Sequence, residues 1–205
     1  GNKTAEANVI QAIANGYQYQ QNYAKVLEND LKALKVFEAL NDKHGIASTL
    51  GNIGIFYFSQ QNYDKALEYD YRALQIAEEM KAGESIAGNL SNIGNTYLYK
   101  KDYSRALQCS FKSLRIFNGL GDNYGAAIDL GNIGETYLAI AQDTLVTVPA
   151  DSLIPAGRTA NLHKAIDYLE QSIMASKKIS QLDNIIEFSE YLSTAYKLAG
   201  DYKAA

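Results

Sequence analysis

The sequence predicts an all-α fold built from a repeated pair of helices. Only two of its 205 residues are proline, Pro149 and Pro155, so long stretches lack the residue that breaks helices. Apolar and small side chains recur at spacings of three and four, which places them on one stripe of an α-helix. The same pattern returns every 40 residues, and this indicates a repeat architecture.

The repeat is clearest in a short motif in each unit. Residues 51–54 read Gly-Asn-Ile-Gly, residues 91–94 read Ser-Asn-Ile-Gly, and residues 131–134 read Gly-Asn-Ile-Gly. A tyrosine follows three positions after each final glycine, and an alanine follows nine positions later in the first two of these units. These recurring positions are expected to pack the helices together: Ile53, Gly54, Tyr57, Ala66, Ile93, Gly94, Tyr97, Ala106, Ile133, Gly134, Tyr137 and Ala165.

Each unit is interpreted as two helices joined by a short turn. Leu50, Ile53 and Tyr57 share one stripe of the first helix, and a break follows at 60–62. The buried stripe of the second helix begins with Tyr63 and Ala66. Turns between units contain Asp42 and Asp122, whose side chains can cap the next helix.

The chain is predicted to be a single repeat domain over residues 1–205. Its units cover about 4–41, 42–81, 82–121 and 122–180, followed by an incomplete unit at 181–205 that suggests a segment of a longer protein. The fourth unit contains an insertion, about 142–160, which includes both prolines. The insertion is rich in apolar residues, so we expect it to fold back, either along the inner face of the repeats or against the outer face of its own unit: Leu145, Val146, Val148, Leu153 and Ile154.

These positions resemble the consensus of tetratricopeptide (TPR) repeats. Ile53, Gly54, Tyr57, Ala66 and Ala73 match the large, small, tyrosine and two alanine positions of that family. The consensus tryptophan and closing proline are absent, and the period is longer than the usual ~34 residues. The resemblance implies a TPR-type α-α superhelix, a helix-turn-helix solenoid in which the first helix of each pair lines a groove for a peptide or partner protein.

At the repeat positions that line the groove in TPR proteins, this sequence carries mostly uncharged side chains. Asparagine amides can pair with both the N–H and the C=O of an extended peptide. The alternative is that these are ordinary solvent-exposed positions. The predicted groove residues are Asn8, Gln11, Asn15, Gln18, Ser48, Ile55, Phe58, Ser91, Asn95, Tyr99, Glu135 and Leu138.

Three further asparagines, Asn52, Asn92 and Asn132, recur with the repeat itself. They are either a ladder of groove contacts or structural amides that bond to backbone where neighbouring repeats meet. The structural interpretation is favoured, because the recurrence follows the period of the scaffold.

Composition argues against several other functions. Nineteen basic and 23 acidic residues give a net charge of −4 without a basic stripe, which disfavours nucleic-acid binding. Cys109 is the only cysteine, and the two histidines are far apart, so no metal site, cofactor or catalytic motif is predicted. No apolar run is long enough to span a membrane, and no membrane contact is expected.

The sequence is therefore predicted to be a non-catalytic interaction module. Its units resemble TPR regions of Bacteroidetes-type signalling proteins, which implies a regulatory segment of a bacterial adenylate/guanylate cyclase or sensor histidine kinase, in the cytoplasm or periplasm. The alternative is a free-standing adaptor, similar to the Pins-type proteins, that binds an extended peptide. Formation of a homodimer is left open, and an enzyme that uses His44 or His163 is a third alternative.

Overall fold

The computed structural model describes residues 3–19, 23–143 and 153–200. Over these ranges the chain forms helices and no extended strand, which confirms the all-α prediction. None of the helices described is both long and apolar enough to cross a membrane. The helices are α1 (Lys3–Tyr19), α2 (Tyr23–Leu40), α3 (Lys43–Ser59), α4 (Tyr63–Met80), α5 (Gly83–Tyr99), α6 (Tyr103–Leu120), α7 (Asn123–Gln142), α8 (Arg158–Lys178) and α9 (Leu182–Ala199).

The helices group into two compact units, Gly1–Thr96 and Tyr97–Ala205, which we call unit 1 and unit 2. The boundary falls near the end of α5. In both units, consecutive helices pack against each other, as α3 does with α4 and α7 does with α8.

The turns show that the 40-residue repeat consists of two halves of similar length. A residue with positive φ follows α2, α4 and α6, at Asn41, Lys81 and Gly121. The same conformation follows α3 and α5, at Gln61 and Lys101. From α2 to α6, one left-handed residue every 20 positions reverses the chain after each helix, because it ends the helical hydrogen-bond pattern.

Side-chain caps begin α3, α4, α6 and α7 after these turns. Asp42 accepts a hydrogen bond from the backbone N–H of Gly45 at 3.1 Å, and Asp122 accepts from Gly125 at 3.0 Å. Asn62 and Asp102 cap the second helices of their repeats in the same way. The caps expected at Asp42 and Asp122 are confirmed. Each satisfies a helix-terminal N–H that has no intrahelical partner.

The repeat positions form the cores of both units. Ile53, Ile93 and Ile133 are fully buried, as are Ala66, Ala106 and Ala165. Gly54, Gly94 and Gly134 are also buried. Tyr97 and Tyr137 are buried, whereas Tyr57 is half-buried and stacks on Tyr69 with ring centroids 5.4 Å apart.

Glycines allow the helices to approach closely. A Cβ atom added at Gly134 would lie 2.6 Å from Cγ of Leu169 and 3.0 Å from its backbone nitrogen. Gly54 lies against the carboxyl group of Asp70, and Gly131 lies against the ring of Phe188. The helix backbones at these points are separated by a single side chain, so a larger residue would force them apart.

A second type of close contact joins the end of one repeat to the start of the next. The ring of Phe37 packs on Gly45 in unit 1, and that of Phe117 packs on Gly125 in unit 2. At the corresponding positions elsewhere, the aromatic residue is replaced by a small one and the glycine by a larger one, as in Ala77 with Ser85 and Ser176 with Asn184. A large residue on one side of the junction is thus paired with a small residue on the other, which keeps the volume of side chains at each junction approximately constant.

Basic side chains cover the repeat tyrosines. A lysine or arginine near the start of each second helix lies over a tyrosine ring, at a distance suited to a cation–π interaction. In the last repeat the covered ring is Tyr168, which stacks on Tyr137 at 5.8 Å. The cation–centroid distances are 4.8 Å for Lys25 and Tyr17, 4.9 Å for Lys65 and Tyr57, 4.2 Å for Arg105 and Tyr97, and 5.9 Å for Lys164 and Tyr168.

The described ends of the insertion contact helices of unit 2. Asp143 accepts a hydrogen bond from the hydroxyl of Tyr103 at 3.0 Å and pairs with Lys101 at 3.2 Å. On the other side, the Tyr137 hydroxyl donates to the carbonyl of Leu153 at 2.6 Å, and Ile154 is buried. The predicted apolar residues Leu145, Val146 and Val148 lie outside the described residues.

Replacement of Gly134 by alanine tests the close contact with Leu169. We expect Gly134→Ala to lower the free energy of unfolding by about 2 kcal/mol, because the new methyl group overlaps both side chain and backbone. Urea titration followed by circular dichroism measures the change. Gly119→Ala is the control within the same unit: its Cβ would meet no atom within 4 Å, so it should be neutral or stabilise by up to ~1 kcal/mol. Similar effects of the two substitutions would contradict the close-contact account.

Candidate functional site

A polar groove lies between the first helices of two consecutive repeats in unit 1. It is bounded by α3 and α5 and has a volume of about 270 Å³. We call it the Asn groove, because three asparagines line it. The lining residues are His44, Ala47, Ser48, Gly51, Asn52, Ile55, Ser85, Gly88, Asn89 and Asn92.

Two glycines create the space in the Asn groove. A Cβ atom at Gly88 would meet nothing within 4 Å, and one at Gly51 would meet only Oδ1 of Asn89, at 3.6 Å. The two glycines do not occur together in the other repeats: Ile128 replaces Gly88, and Gln11 and Ser91 replace Gly51, although Gly131 retains the glycine. The groove is therefore a local property of these two repeats, and side chains found elsewhere in the chain would fill it.

The asparagines of the groove differ in their hydrogen bonds. Asn89 donates from Nδ2 to the carbonyl of Ser85 at 2.8 Å, which fixes its amide along the helix. The side-chain amides of Asn52 and Asn92 bond to no other described residue and line the groove. The structure therefore does not show the backbone hydrogen bonds that the favoured structural interpretation assigned to these two asparagines. Asn132 differs, since it is buried in unit 2.

The Asn groove carries no permanently charged side chain among the residues that line it. His44 is the only ionisable residue in this set, and the remainder are amides, hydroxyls, glycines and apolar residues. Such a surface offers hydrogen-bond donors and acceptors in balanced number. Its lining contains no lysine or arginine to hold a carboxylate.

Some predicted groove residues lie in or beside this site. Ser48 and Ile55 line the Asn groove. Gln11 on α1 donates to the hydroxyls of Ser48 at 3.3 Å and Thr49 at 3.2 Å, which extends the polar surface toward the first repeat. Asn8 is exposed on the same helix. The side chains of two other predicted residues of α1 lie outside the described ones: Asn15 and Gln18.

The structure places other predicted residues of unit 1 outside the lining of the groove. The ring of Phe58 packs on Tyr63 with centroids 5.7 Å apart, where α3 turns into α4. Ser91 is half-buried. Asn95 is also half-buried, and its Oδ1 atom has no hydrogen-bond partner among the described residues.

The predicted residues of unit 2 have different environments. Tyr99 is 49% exposed, whereas Leu138 is 3% exposed. The assignment of Leu138 to a binding surface is wrong, because a side chain that packs into the core of unit 2 has almost no area to offer a partner.

Glu135 in unit 2 has a strongly perturbed carboxyl group. Burial raises its pKa to about 7, and the charge of Glu187 adds to the effect. A hydrogen bond from the Tyr191 hydroxyl acts in the opposite direction, because it stabilises the carboxylate. Burial and the same hydrogen bond raise the pKa of Tyr191.

Unit 2 also contains a cavity of about 420 Å³ between α7 and α8, lined by both polar and apolar residues. Ala175 lines it at a position where the preceding repeats have Ile116 and Ile76. The cavity is thus explained by a smaller side chain in the last repeat. Among the residues that line it, none has a buried polar atom without a partner, so it indicates no particular ligand.

The described residues contain no group of three or more histidine, cysteine or acidic side chains arranged to hold a metal ion. Cys109 is half-buried, and burial raises the pKa of its thiol. A raised thiol pKa disfavours the reactive thiolate.

Comparison with known proteins identifies the repeats. A sequence model of the tetratricopeptide repeat family matches residues 4–79, which cover α1 to α4. Helices α1 to α4 thus match the sequence pattern of tetratricopeptide repeats. The TPR fold is a scaffold without catalytic groups of its own, and it typically binds proteins or peptides. No curated protein matches the sequence significantly.

Solved structures share the fold over almost the whole chain. BtubC from P. vanneervenii superposes with a TM-score of 0.78 at 18% identity, over 99% of this chain and 76% of that one. A signal-transduction ATPase (STAND protein) with a TPR sensor, from Pyrococcus horikoshii, gives 0.76 at 16% identity, over 98% of this chain and 30% of that one. Aspartyl phosphate phosphatase F from Bacillus subtilis gives 0.74 at 15% identity, over 100% and 48%.

These identities support the shared TPR fold and nothing finer. The chain spans less than a third of the STAND protein and about half of the phosphatase.

Removal of the Tyr191 hydroxyl tests the environment of Glu135. We expect Tyr191→Phe to raise the pKa of Glu135 above about 7, because the hydrogen bond that favours the carboxylate is lost. A carboxyl group whose pKa is raised in the folded state lowers the stability of the fold as pH rises from its ordinary pKa of 4.5 toward its folded pKa of about 7. In the variant, this loss of stability should continue to higher pH. Carboxyl carbon NMR measures the titration.

Tyr196→Phe is the matched control on the same helix, since the Tyr196 hydroxyl bonds to Glu170. It should leave the pKa of Glu135 unchanged. A lower pKa for Glu135 in Tyr191→Phe, or equal shifts in both variants, would contradict the hydrogen-bond assignment.

Proposed function

We propose that this chain is a non-catalytic protein-interaction module that binds an extended, uncharged segment of a partner in the Asn groove. One observation carries the proposal: Asn52 and Asn92 present side-chain amides without described partners to a space that two glycines leave open. Polar groups in a groove are ordinarily paired with protein or water, so a ligand with complementary groups can replace that water.

The chemistry of the groove favours recognition of a peptide backbone. Each asparagine amide offers two donors and one acceptor oxygen, and an extended strand presents alternating N–H and C=O groups. Each such hydrogen bond contributes about 0.5–1.5 kcal/mol. The absence of cationic side chains from the groove lining argues against a terminal carboxylate or an acidic tail as the ligand.

The glycines of the groove suggest how the backbone of a bound peptide could reach the amides of Asn52 and Asn92. Gly51 and Gly88 project no side chain, so a peptide can lie against the helix surface. Ile55, which is 43% exposed, adds an apolar contact at the edge. Specificity would come from the side chains of the partner that point toward this edge and toward Ser48 and His44.

For the biological setting, we propose a regulatory segment of a larger bacterial signalling protein, such as an adenylate/guanylate cyclase or a sensor histidine kinase. The similar STAND protein, whose TPR region is described as a sensor, supports this setting by analogy of fold. Partner binding would then change the arrangement of the repeats and thereby the activity of an effector. A free-standing adaptor with the same groove is the alternative, and the cytoplasm or periplasm is the proposed compartment.

Selection of peptides on the immobilised chain tests the groove and does not require the natural partner. Peptides recovered from an unbiased display library should bind the chain. Gly88→Ile should weaken that binding by about tenfold or more, because the isoleucine side chain would fill the groove. A tenfold loss of affinity corresponds to only ~1.4 kcal/mol. Fluorescence anisotropy with a labelled peptide measures the affinity. Gly88→Ile copies Ile128 of another repeat and fills open space, so it should preserve the fold.

Arg115→Ala, on the exposed face of α6, is the control variant and should leave the affinity unchanged. If the labelled peptide binds the original chain and Gly88→Ile with equal affinity, the groove proposal is contradicted. The open reading frame that encodes the chain distinguishes the two settings: a membrane span followed by a cyclase or kinase domain supports the regulatory segment, and a short capping helix before the stop codon supports the adaptor.

A further inference from the structure

Two buried carboxyl groups recur one repeat apart in unit 1. Asp30 on α2 and Asp70 on α4 occupy the same repeat position, and each is only 1% exposed. The Oδ1 atom of each has no hydrogen-bond partner among the described residues. Buried carboxylates are ordinarily paired, because transfer of an isolated charge from water into a protein interior is very unfavourable. These two aspartates were not singled out by the sequence pattern.

The carboxyl group of Asp70 is confined by the close approach of two helices. Gly54 of α3 lies so near to its Oδ1 atom that a Cβ at that position could not be accommodated. Ile53 lies next to Gly54 on α3, and Ala73 lies one turn after Asp70 on α4. Both are fully buried. The close approach of α3 and α4 therefore holds Oδ1 of Asp70 against a helix backbone and away from solvent, an environment that favours the uncharged carboxyl group.

Within the described part of the chain, no charged group compensates either aspartate. The charged side chains on the helices packed around Asp70 are all exposed at the surface: Lys43 and His44 on α3, Glu84 on α5, Asp64, Lys65, Glu68, Arg72, Glu78 and Glu79 on α4, and Lys25, Glu28, Lys32, Lys35 and Glu38 on α2. Lys3 and Glu6 on α1, which packs on α2, are exposed as well. Lys43 pairs with Glu79 at 2.8 Å, about three helical turns from Gly54.

Burial alone therefore determines the ionisation of both groups. It raises the pKa of Asp30 to about 6 and that of Asp70 to about 7, from an ordinary value of 3.8. For an acid whose pKa is raised in the folded state, stability is highest at low pH. It then falls as pH rises through the window from 3.8 to about 7.

The corresponding positions in unit 2 carry no acid. Ser110 and Leu169 replace the aspartates there, and both are buried. Any response that the aspartates produce is thus confined to unit 1, although Glu135 titrates elsewhere in unit 2.

We infer that Asp70, with Asp30 one repeat earlier, is a pH-sensitive switch that keeps the α3–α4 helix pair closed when protonated and loosens it when ionised. Ionisation would draw water between the helices and separate Gly54 from Asp70. Because α3 also forms one wall of the Asn groove, loosening would move that wall; this consequence rests on the proposed function, whereas the switch itself does not.

Hydrogen exchange of the full chain, resolved by mass spectrometry and corrected for the intrinsic pH dependence of exchange, tests the switch without any ligand. For peptides from α3 and α4, the equilibrium constant for opening should be larger at pH 8 than at pH 5.5. The increase should lie between about tenfold and about a thousandfold. Asp70→Ser, which copies Ser110, should abolish most of this rise. Peptides from α6 are the internal control and should show little change.

Carboxyl carbon NMR of the unmodified chain provides a second test that needs no variant to fold. The Asp70 signal should titrate near pH 7, and Asp70→Asn should identify it by its loss. Titration near pH 4 would overturn the inference, as would an equal rise in opening for the original chain and Asp70→Ser. Failure of peptide binding at the Asn groove would leave both of these results unaffected, so the switch and the proposed function are judged separately.

Discussion

The structure depends on the close approach of helices at positions where one of them has almost no side chain. Gly54, Gly131 and Gly134 each lie directly against a residue of another helix, and Gly45 and Gly125 do so at the junctions between repeats. A glycine within a helix costs about 1 kcal/mol relative to alanine, and the packing it permits offsets that cost. Glycine also underlies the two proposed features in opposite ways. Gly54 confines Asp70 by close approach, whereas Gly51 and Gly88 leave the Asn groove open because almost nothing lies near their Cβ positions.

Much of the fold followed from the sequence, because the repeat imposes the same local requirements several times. The 40-residue period, the all-α class and the caps at Asp42 and Asp122 could be predicted from residue spacing, the scarcity of proline and the residue types in the turns. The left-handed residues at Gln61 and Lys101 could not, since neither residue type is typical of that conformation. Cation–π contacts between the repeat tyrosines and basic residues such as Lys65 also required the structure, because they depend on how two helices face each other.

The candidate site was less predictable than the fold. The family pattern selected Ser48 and Ile55, which line the Asn groove, but it also selected Leu138, which packs into the core. Register describes which helix face a position occupies, whereas exposure depends on the neighbouring helix. The amides of Asn52 and Asn92 belong to the repeat motif, so periodicity alone favoured a structural role. The burial of Asp70 could not be predicted, because sequence patterns reveal charged residues without revealing what covers them.

Amide NMR of the chain with a display-selected peptide is the most direct test of the proposed binding site. The side-chain NH2 signals of Asn52 and Asn92 should shift on addition of the peptide, since these groups would exchange water for the peptide backbone. Asn118, exposed on α6 in unit 2, should keep its signal unchanged. Peptide binding that leaves the signals of Asn52 and Asn92 in place, with shifts confined to unit 2, would contradict the account.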